Sequence, residues 1–471
     1  MTGRLSDDVL LKIFRYYLDE YPRFWPTLVH ICRKWRRIVF SSQHALHLRL
    51  FCSSGTPVLK TIDHWPALPI VIEYGGSLAL DLPSPEDEVN IIAALKRSDR
   101  VSSISLTVTT SLQEKLSTVK RPLLELEDLI LMSQDSVPLT LPCTFLWGPR
   151  LRRLRLTRID IPGLLQLLNS SRNLEDLQLH DALNPHYFSI EELADSLSGL
   201  SQLQSLSLYF PSTTRYLLPP PLCDQLIVLP ALTHLNLRGV SWHLGLFVDR
   251  IDAPHLEDIQ VTLIDESVFD FSKLDKFIDR TEIRNSLCQA RILSSERAIS
   301  VSLTQPGAST CFKLQSFSES LSDQLFAMSH ILPGFSALLP NVEDLCITAT
   351  PVSSQNSNNS FDGGRWQDIL ILFTGVKWLH LDLNDLGGIV YALQGRYWQP
   401  KTTMLPALYK LYLPQPGPRH APLSEAIVSF MTSRCRSGHP IGVEYERLSR
   451  ISELRGRSTS PGTVPLRLDP N

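Results

Sequence analysis

The chain has 471 residues, 43% apolar and 20% charged, with a net charge of −3. That length exceeds one ordinary core, and the composition excludes a broadly disordered chain, so several domains or one long repeat array are expected. The near-neutral balance gives no whole-chain case for nucleic acid. The charge is unevenly spread, however. Residues 1–50 hold nine Lys/Arg against four Asp/Glu, a local +5, and the remainder holds 36 against 44, or −8. A basic head on an acidic body suits an acidic protein partner for the head.

The first predicted element is a helix. Ser6 is a candidate N-cap, and Asp7 and Asp8 place negative charge in the first turn, where free N–H groups favour it. Leu10, Ile13, Phe14 and Tyr17 follow at helical spacing as one apolar stripe, and Pro22 ends the helix. Pro26 suits the first turn of a second helix with Leu28, Val29 and Ile31. A third runs from about Cys32 to Phe40, with Trp35, Ile38 and Val39 apolar and Arg33–Arg37 a solvated basic face. So small a unit leans on a partner or on the following domain. Ile31, Ile38 and Val39 are expected in its core, whereas Leu5, Leu10 and Phe14 are expected to dock outward.

Next, 68–74 (LPIVIEY) and 104–108 read as strands around a helix that starts at Pro85 with acids in its first turn. Then comes a repeat. LEDLIL (126–131), LRRLRL (151–156), LEDLQL (174–179), LQSLSL (203–208), LTHLNL (232–237), LEDIQV (256–261), VEDLCI (342–347), VKWLHL (376–381) and LYKLYL (408–413) share one form. Val101–Leu106 reads as one more. First positions are separated by 25, 23, 29, 29, 24, 86, 34 and 32 residues. This is leucine-rich-repeat spacing: leucines point inward, and neighbours stack into a parallel sheet because one repeat cannot bury its own leucine face. The segments 163–168 and 190–197 fit helices on the opposite side. The Asn or Cys expected at the ninth repeat position occurs only as Asn384. The 86-residue gap has room for three degenerate repeats, with strands at 298–303 and 312–317. The stretch 350–364 reads as a mobile loop, and 451–471 as a disordered tail.

The outward strand positions mix signs and hydrogen-bonding groups. Arg153, Arg155, Gln178, His180, Tyr209, His234, Arg238, Trp378 and His380 are the candidate target-binding residues, with Tyr209 and Trp378 foremost because exposed aromatics anchor interfaces. A nucleic-acid face would instead carry a row of Lys/Arg. The sequence contains no GxSxG, P-loop, GxGxxG after a strand, HExxH or EF-hand loop, so neither catalysis nor a cofactor or metal is expected. The eight cysteines lack CxxC spacing, which reads as a reducing cytoplasmic or nuclear setting with thiols as small core residues. No stretch has the ~18 uninterrupted apolar residues of a membrane span, so no membrane partner is expected.

The head resembles an F-box, and more closely the F-boxes of the expanded family in mushroom-forming fungi. The matching residues are Leu5, Ile13 and Phe14, Leu18, Leu28 and the run Ile31-Cys32-Arg33-Lys34-Trp35-Arg36. The likeness continues through HLRLFCSSGTPVLKTIDHWPALPIVIEY and DEVNIIAALKRSDRV, about the first hundred residues. The family usually opens Leu-Pro where this chain has Leu5-Ser6. The resemblance implies an α/β chain: a three-helix F-box over 1–50, then an irregular leucine-rich-repeat solenoid over 51–450 with a curved parallel sheet on its concave face. It implies a non-catalytic substrate-recognition subunit of an SCF-type cullin–RING ubiquitin ligase. The ligase adaptor subunit, and through it a cullin, would bind Leu5, Ser6, Leu10, Ile13, Phe14, Leu18, Leu28 and Trp35, and the repeats would hold an unknown target protein. The alternative is a leucine-rich-repeat scaffold without ligase coupling.

Overall fold

The computed structural model describes residues 5–446 except 57, 76–81, 136, 143–144, 184–186, 211–225, 265–270, 286, 296, 306–309, 319, 350–362, 383–386, 394–403 and 415–420. The expected tail 451–471, Asn384 and most of the expected loop 350–364 lie outside those residues. Gly363 and Gly364, assigned to that loop, instead open a helix. The chain divides between Leu203 and Gln204 into two compact units, each of mixed α/β build.

The first unit begins with helices α1 (Asp7–Glu20), α2 (Trp25–Ile31) and α3 (Arg33–Ser41). Ser6 caps α1, its Oγ accepting from the Val9 N–H. The strands β1 (Leu50–Cys52), β2 (Ile70–Tyr74), β3 (Val101–Val108) and β4 (Asp128–Ser133) follow, with helices α4 (Pro85–Leu95) and α5 (Thr110–Leu116). Next come β5 (Leu139–Thr140), β6 (Arg153–Thr157), β7 (Ile159–Asp160), α6 (Leu164–Ser170), β8 (Asp176–His180) and α7 (Ile190–Leu197). β1-β2-β3-β4-β6-β8 are neighbours in that order, all parallel, and β5 pairs with β7.

The head is tied to residues 49–73, which follow it in the chain. Trp25 packs edge-on against Trp65 at 4.8 Å, and its Nε1 donates to the Arg49 carbonyl at 2.7 Å. Arg23 pairs with Glu73 and lies over the Phe51 ring.

Between α4 and α5 sits a buried carboxylate, Glu88. It accepts from Thr109 Oγ1, Ser111 Oγ and Lys115 Nζ. Burial alone would raise its pKa, but the three donors together outweigh burial and hold it below the ordinary carboxylate value. A depressed acid stabilises the fold above its unfolded pKa, and that stability is lost as pH falls through the folded value. Glu88→Gln is therefore expected to cost about 1–3 kcal/mol at neutral pH. The gap to wild type should close on acidification, as read from urea midpoints across the carboxylate range. A pH-independent gap would contradict the assignment.

The second unit carries β9 (Ser205–Tyr209), β10 (Ile227–Val228), β11 (His234–Gly239), α8 (Ser241–Arg250), β12 (Ile251–Asp252), β13 (Asp258–Leu263) and α9 (Phe271–Asp279). It continues with β14 (Gln289–Ser294), β15 (Ala298–Thr304), β16 (Thr310–Phe317), α10 (Leu321–Ile331), β17 (Asp344–Ala349) and α11 (Gly363–Leu370). Last are β18 (Trp378–Asp382), α12 (Gly387–Leu393), β19 (Lys410–Pro414), α13 (Ala421–Arg436) and β20 (Gly442–Glu446). The strand order is β9-β11-β13-β16-β15-β14-β17-β18-β19-β20, and β10 pairs with β12.

All nine repeat segments form strands, each starting at the third residue of its motif. The expected three degenerate repeats in the long gap are corrected. β14, β15 and β16 form an antiparallel meander, with β16 beside β13 and β14 beside β17. The reason is connection length. Only residues 295–297 and 305–309 link the three strands, whereas a parallel crossover needs about a dozen or more residues.

A turn recurs before every repeat strand. The first motif residue donates its N–H to the carbonyl three residues upstream: Leu126 to Leu123, Leu151 to Gly148, Leu174 to Ser171, Leu203 to Leu200. The second unit repeats it with Leu232 to Leu229, Leu256 to Ala253, Val342 to Leu339, Val376 to Phe373 and Leu408 to Leu405. Backbone turns thus do the work that a side-chain ladder of Asn or Cys does in a regular repeat.

Candidate functional site

Two surfaces qualify: the outer side of α1, and the strand face away from the leucines.

On α1 the expected single stripe is two. Leu10, Phe14 and Leu18 turn inward, Leu10 and Phe14 being only 1% exposed. Phe14 meets the Trp35 ring edge-on at 4.7 Å. A second stripe runs about a third of a turn round at i, i+4, i+7: Val9 43%, Ile13 47% and Tyr16 83% exposed, with Leu5, just before the helix, at 39%. This corrects the docking roles of Leu10, Phe14, Leu18 and Leu28, all buried in the head's own core, and of half-buried Trp35. Trp65, which packs on Trp25 and Phe40, adds apolar cover from beyond the three helices. Leu5, Ser6 and Ile13 remain exposed. Ile31 is corrected in the other direction: it is 57% exposed, at the end of α2, while Ile38 and Val39 are core as expected.

The N-terminal segment is fixed to α3. Lys34 Nζ donates to the Leu5 carbonyl at 2.8 Å, and Lys34 and Arg37 pair with Asp7 at 3.1 and 3.2 Å. The hydrogen bond from Lys34 and the charges of both cations hold the Asp7 carboxyl below its ordinary pKa. Arg33 and Arg36 remain exposed, as a solvated face requires.

On the sheet face of the first unit, Arg153 and Arg155 are exposed but neutralised. Arg153 grips Asp128 through Nε and Nη2, and Arg155 grips Asp176 the same way, at 3.1 and 2.7 Å. The register explains it: Asp128, Arg153 and Asp176 are direct cross-strand neighbours. Gln178 is also used internally, donating to Asp176 at 3.2 Å. These residues read as a ladder holding the strands in register more than as free recognition groups. His180 is half-buried at the end of β8.

In the second unit the candidates separate into two groups. Tyr209, His234 and Arg238 lie together on β9 and β11. Trp378 and His380 lie on β18, where His380 stacks on Tyr412 at 4.2 Å and pairs with Asp344 at 3.3 Å. Six strand steps of ~4.8 Å put the groups roughly 29 Å apart. Arg238 sits between two rings, its Cζ 4.9 Å from the Tyr209 centroid and 5.3 Å from the Phe317 centroid. Phe317 and Lys313 come from the meander, where no leucine motif marks the register, so sequence reading missed them. Val9 and Tyr16 share helical spacing with Ile13, but that spacing does not say which face is outward.

Among the described residues, no group of three His, Cys, Asp or Glu is placed to hold a metal ion, and no helix is long and apolar enough to cross a membrane. Cys52 is buried, as expected of a core thiol, and burial pushes it up to about 11. Cys32 and Cys435 are exposed and depart from that expectation. No protein-family model matches the chain, and no curated protein matches it either.

Proposed function

We propose that the chain is a non-catalytic recognition subunit of an SCF-type ubiquitin ligase. Its F-box-like head docks on the ligase adaptor subunit, and its leucine-rich-repeat face holds a target protein. The observation that carries the reading is the second stripe on α1. Val9, Ile13 and Tyr16, with Leu5 just before the helix, are large apolar side chains left in water while the inner stripe already fills the core. Such a patch on so small a unit marks a partner surface. The basic balance of residues 1–50 suits an acidic partner. Nine turn-plus-strand segments with buried leucines support the repeat assignment. The protein would contribute proximity, raising the local concentration of target at the transferring enzyme.

One observation favours the scaffold without ligase coupling. Ser6 stands where F-boxes usually carry proline, and here it caps α1. Co-purification distinguishes the two. The intact chain should retain the adaptor subunit and cullin from a fungal extract, and an Ile13→Glu/Tyr16→Glu variant should lose both. Recovery of other partners without adaptor at physiological salt would favour the scaffold.

A further inference from the structure

The arginines around β6 all have carboxylate partners: Arg150 with Glu125, Arg152 with Glu175, Arg153 with Asp128, Arg155 with Asp176, and Arg158 with Asp181. Arg238 in the second unit is different. Its register neighbours are Tyr209 on β9 and Thr262 on β13, so no carboxylate stands directly opposite it. Its Nε is buried without a hydrogen-bond acceptor among the described residues. The two rings hold the guanidinium plane and attract its charge, but they offer no lone pair to its N–H groups. A guanidinium taken partly out of water and left unpaired is costly unless an acceptor completes it.

The surroundings fit an anionic acceptor. Lys313 lies two strands away on the same face, where its charge reaches Asp258 without a close ion pair among the described residues. Asn236 and His234 lie before Arg238 on β11 and offer further polar contacts. The facing carboxylate is Asp258, opposite His234, and it is held by Gln260 Nε2 at 3.1 Å. Two pleat positions separate it from the row of Arg238, too far along the strand to serve as a direct partner.

We propose that Arg238, clamped between Tyr209 and Phe317, anchors an acidic segment of a protein partner, with Lys313 as the second cationic contact. The proposal rests on reading the repeat face as target-binding. It names the target chemistry: an aspartate- or glutamate-bearing peptide whose carboxylate takes the fork of Arg238.

The test uses the intact chain and fluorescence anisotropy at low and physiological salt. The probes are a short labelled peptide rich in Glu and Asp, and its counterpart with Gln and Asn in their place. The acidic peptide should bind and the amide peptide should not. Arg238→Gln should weaken binding at least roughly tenfold, and Arg155→Gln, whose charge is already spent on Asp176, should leave it unchanged. Should Arg238→Gln fail to fold, Arg238→Lys, which keeps charge but loses the fork, and Lys313→Gln each carry the test by the same weakening. Equal binding of the two peptides, or unchanged affinity in the Arg238 and Lys313 variants, would overturn the proposal. So would displacement of the peptide by inorganic phosphate at equal concentration, or tighter binding of a single-stranded oligonucleotide. Adaptor co-purification, which depends on the head, should survive every one of these variants, so a failed anchor and a failed ligase assignment give different results.

Discussion

Replacing Phe14 by alanine is expected to destabilise the first unit by about 3–5 kcal/mol. The ring is fully buried, lies edge-on to Trp35 and belongs to the inner stripe with Leu10 and Leu18. Its removal leaves a cavity in a core that has little else to collapse with. Ile13→Ala and Tyr16→Ala, one step round the same helix, should stay within about 0.5 kcal/mol of wild type because both side chains already face water. Urea unfolding followed by tryptophan fluorescence reads the difference, since Trp35 reports directly on the Phe14 site. An unchanged midpoint for Phe14→Ala beside a lowered one for Ile13→Ala would reverse the assignment of the two faces. The contrast separates folding residues from docking residues, which simple loss-of-binding mutagenesis would confuse.

Phe373→Ala is the second large effect, again about 3–5 kcal/mol. Phe373 is fully buried, and its carbonyl accepts from the Val376 N–H in the turn that launches β18. Its neighbour Thr374 is exposed, and Thr374→Ala should be near neutral. Gly375 completes the turn. A Cβ there would collide with the Pro340 carbonyl oxygen, a backbone atom that cannot swing aside. Gly375→Ala should therefore also destabilise, through overpacking in place of a cavity. Hydrogen exchange across 376–382 provides a local readout: Phe373→Ala should speed it, and Thr374→Ala should not. Protection unchanged by Phe373→Ala would mean that the turn is not what holds the strand.

The contrast between these positions shows how much of the molecule its sequence discloses. Every L-x-x-L-x-L segment became a strand because alternation is a local property of the chain, and the leucines at both inner positions are buried throughout. The turn before each strand was also legible. An upstream apolar residue three places earlier recurs as Leu123, Leu200, Leu229, Leu339, Phe373 and Leu405, with Gly148, Ser171 and Ala253 as small variants. The meander was only half legible. Alternation marks strands at 298–303 and 312–317, but their direction depends on link length and on where β14 pairs, and β14 has no leucine signature.

The candidate site was less legible than the fold, for a physical reason. Helical spacing alone does not distinguish a stripe that faces the core from one a third of a turn away, so Leu10 and Ile13 read as one face. What separates them is packing against α3, where Trp35 meets Phe14 some twenty residues downstream. The arginines present the same difficulty. Arg155 and Arg238 both lie at outward-facing strand positions, but the neighbouring strands give one a carboxylate and the other two aromatic rings. Whether a charge is free depends on the neighbouring strand.

If the outer stripe of α1 docks on the ligase adaptor, calorimetric titration of the purified intact chain with the purified adaptor subunit should show it. Saturable one-to-one binding is expected, weakened roughly hundredfold or more by Ile13→Glu/Tyr16→Glu at unchanged thermal stability. No binding by the wild-type chain, or equal affinity in the double variant, would contradict it.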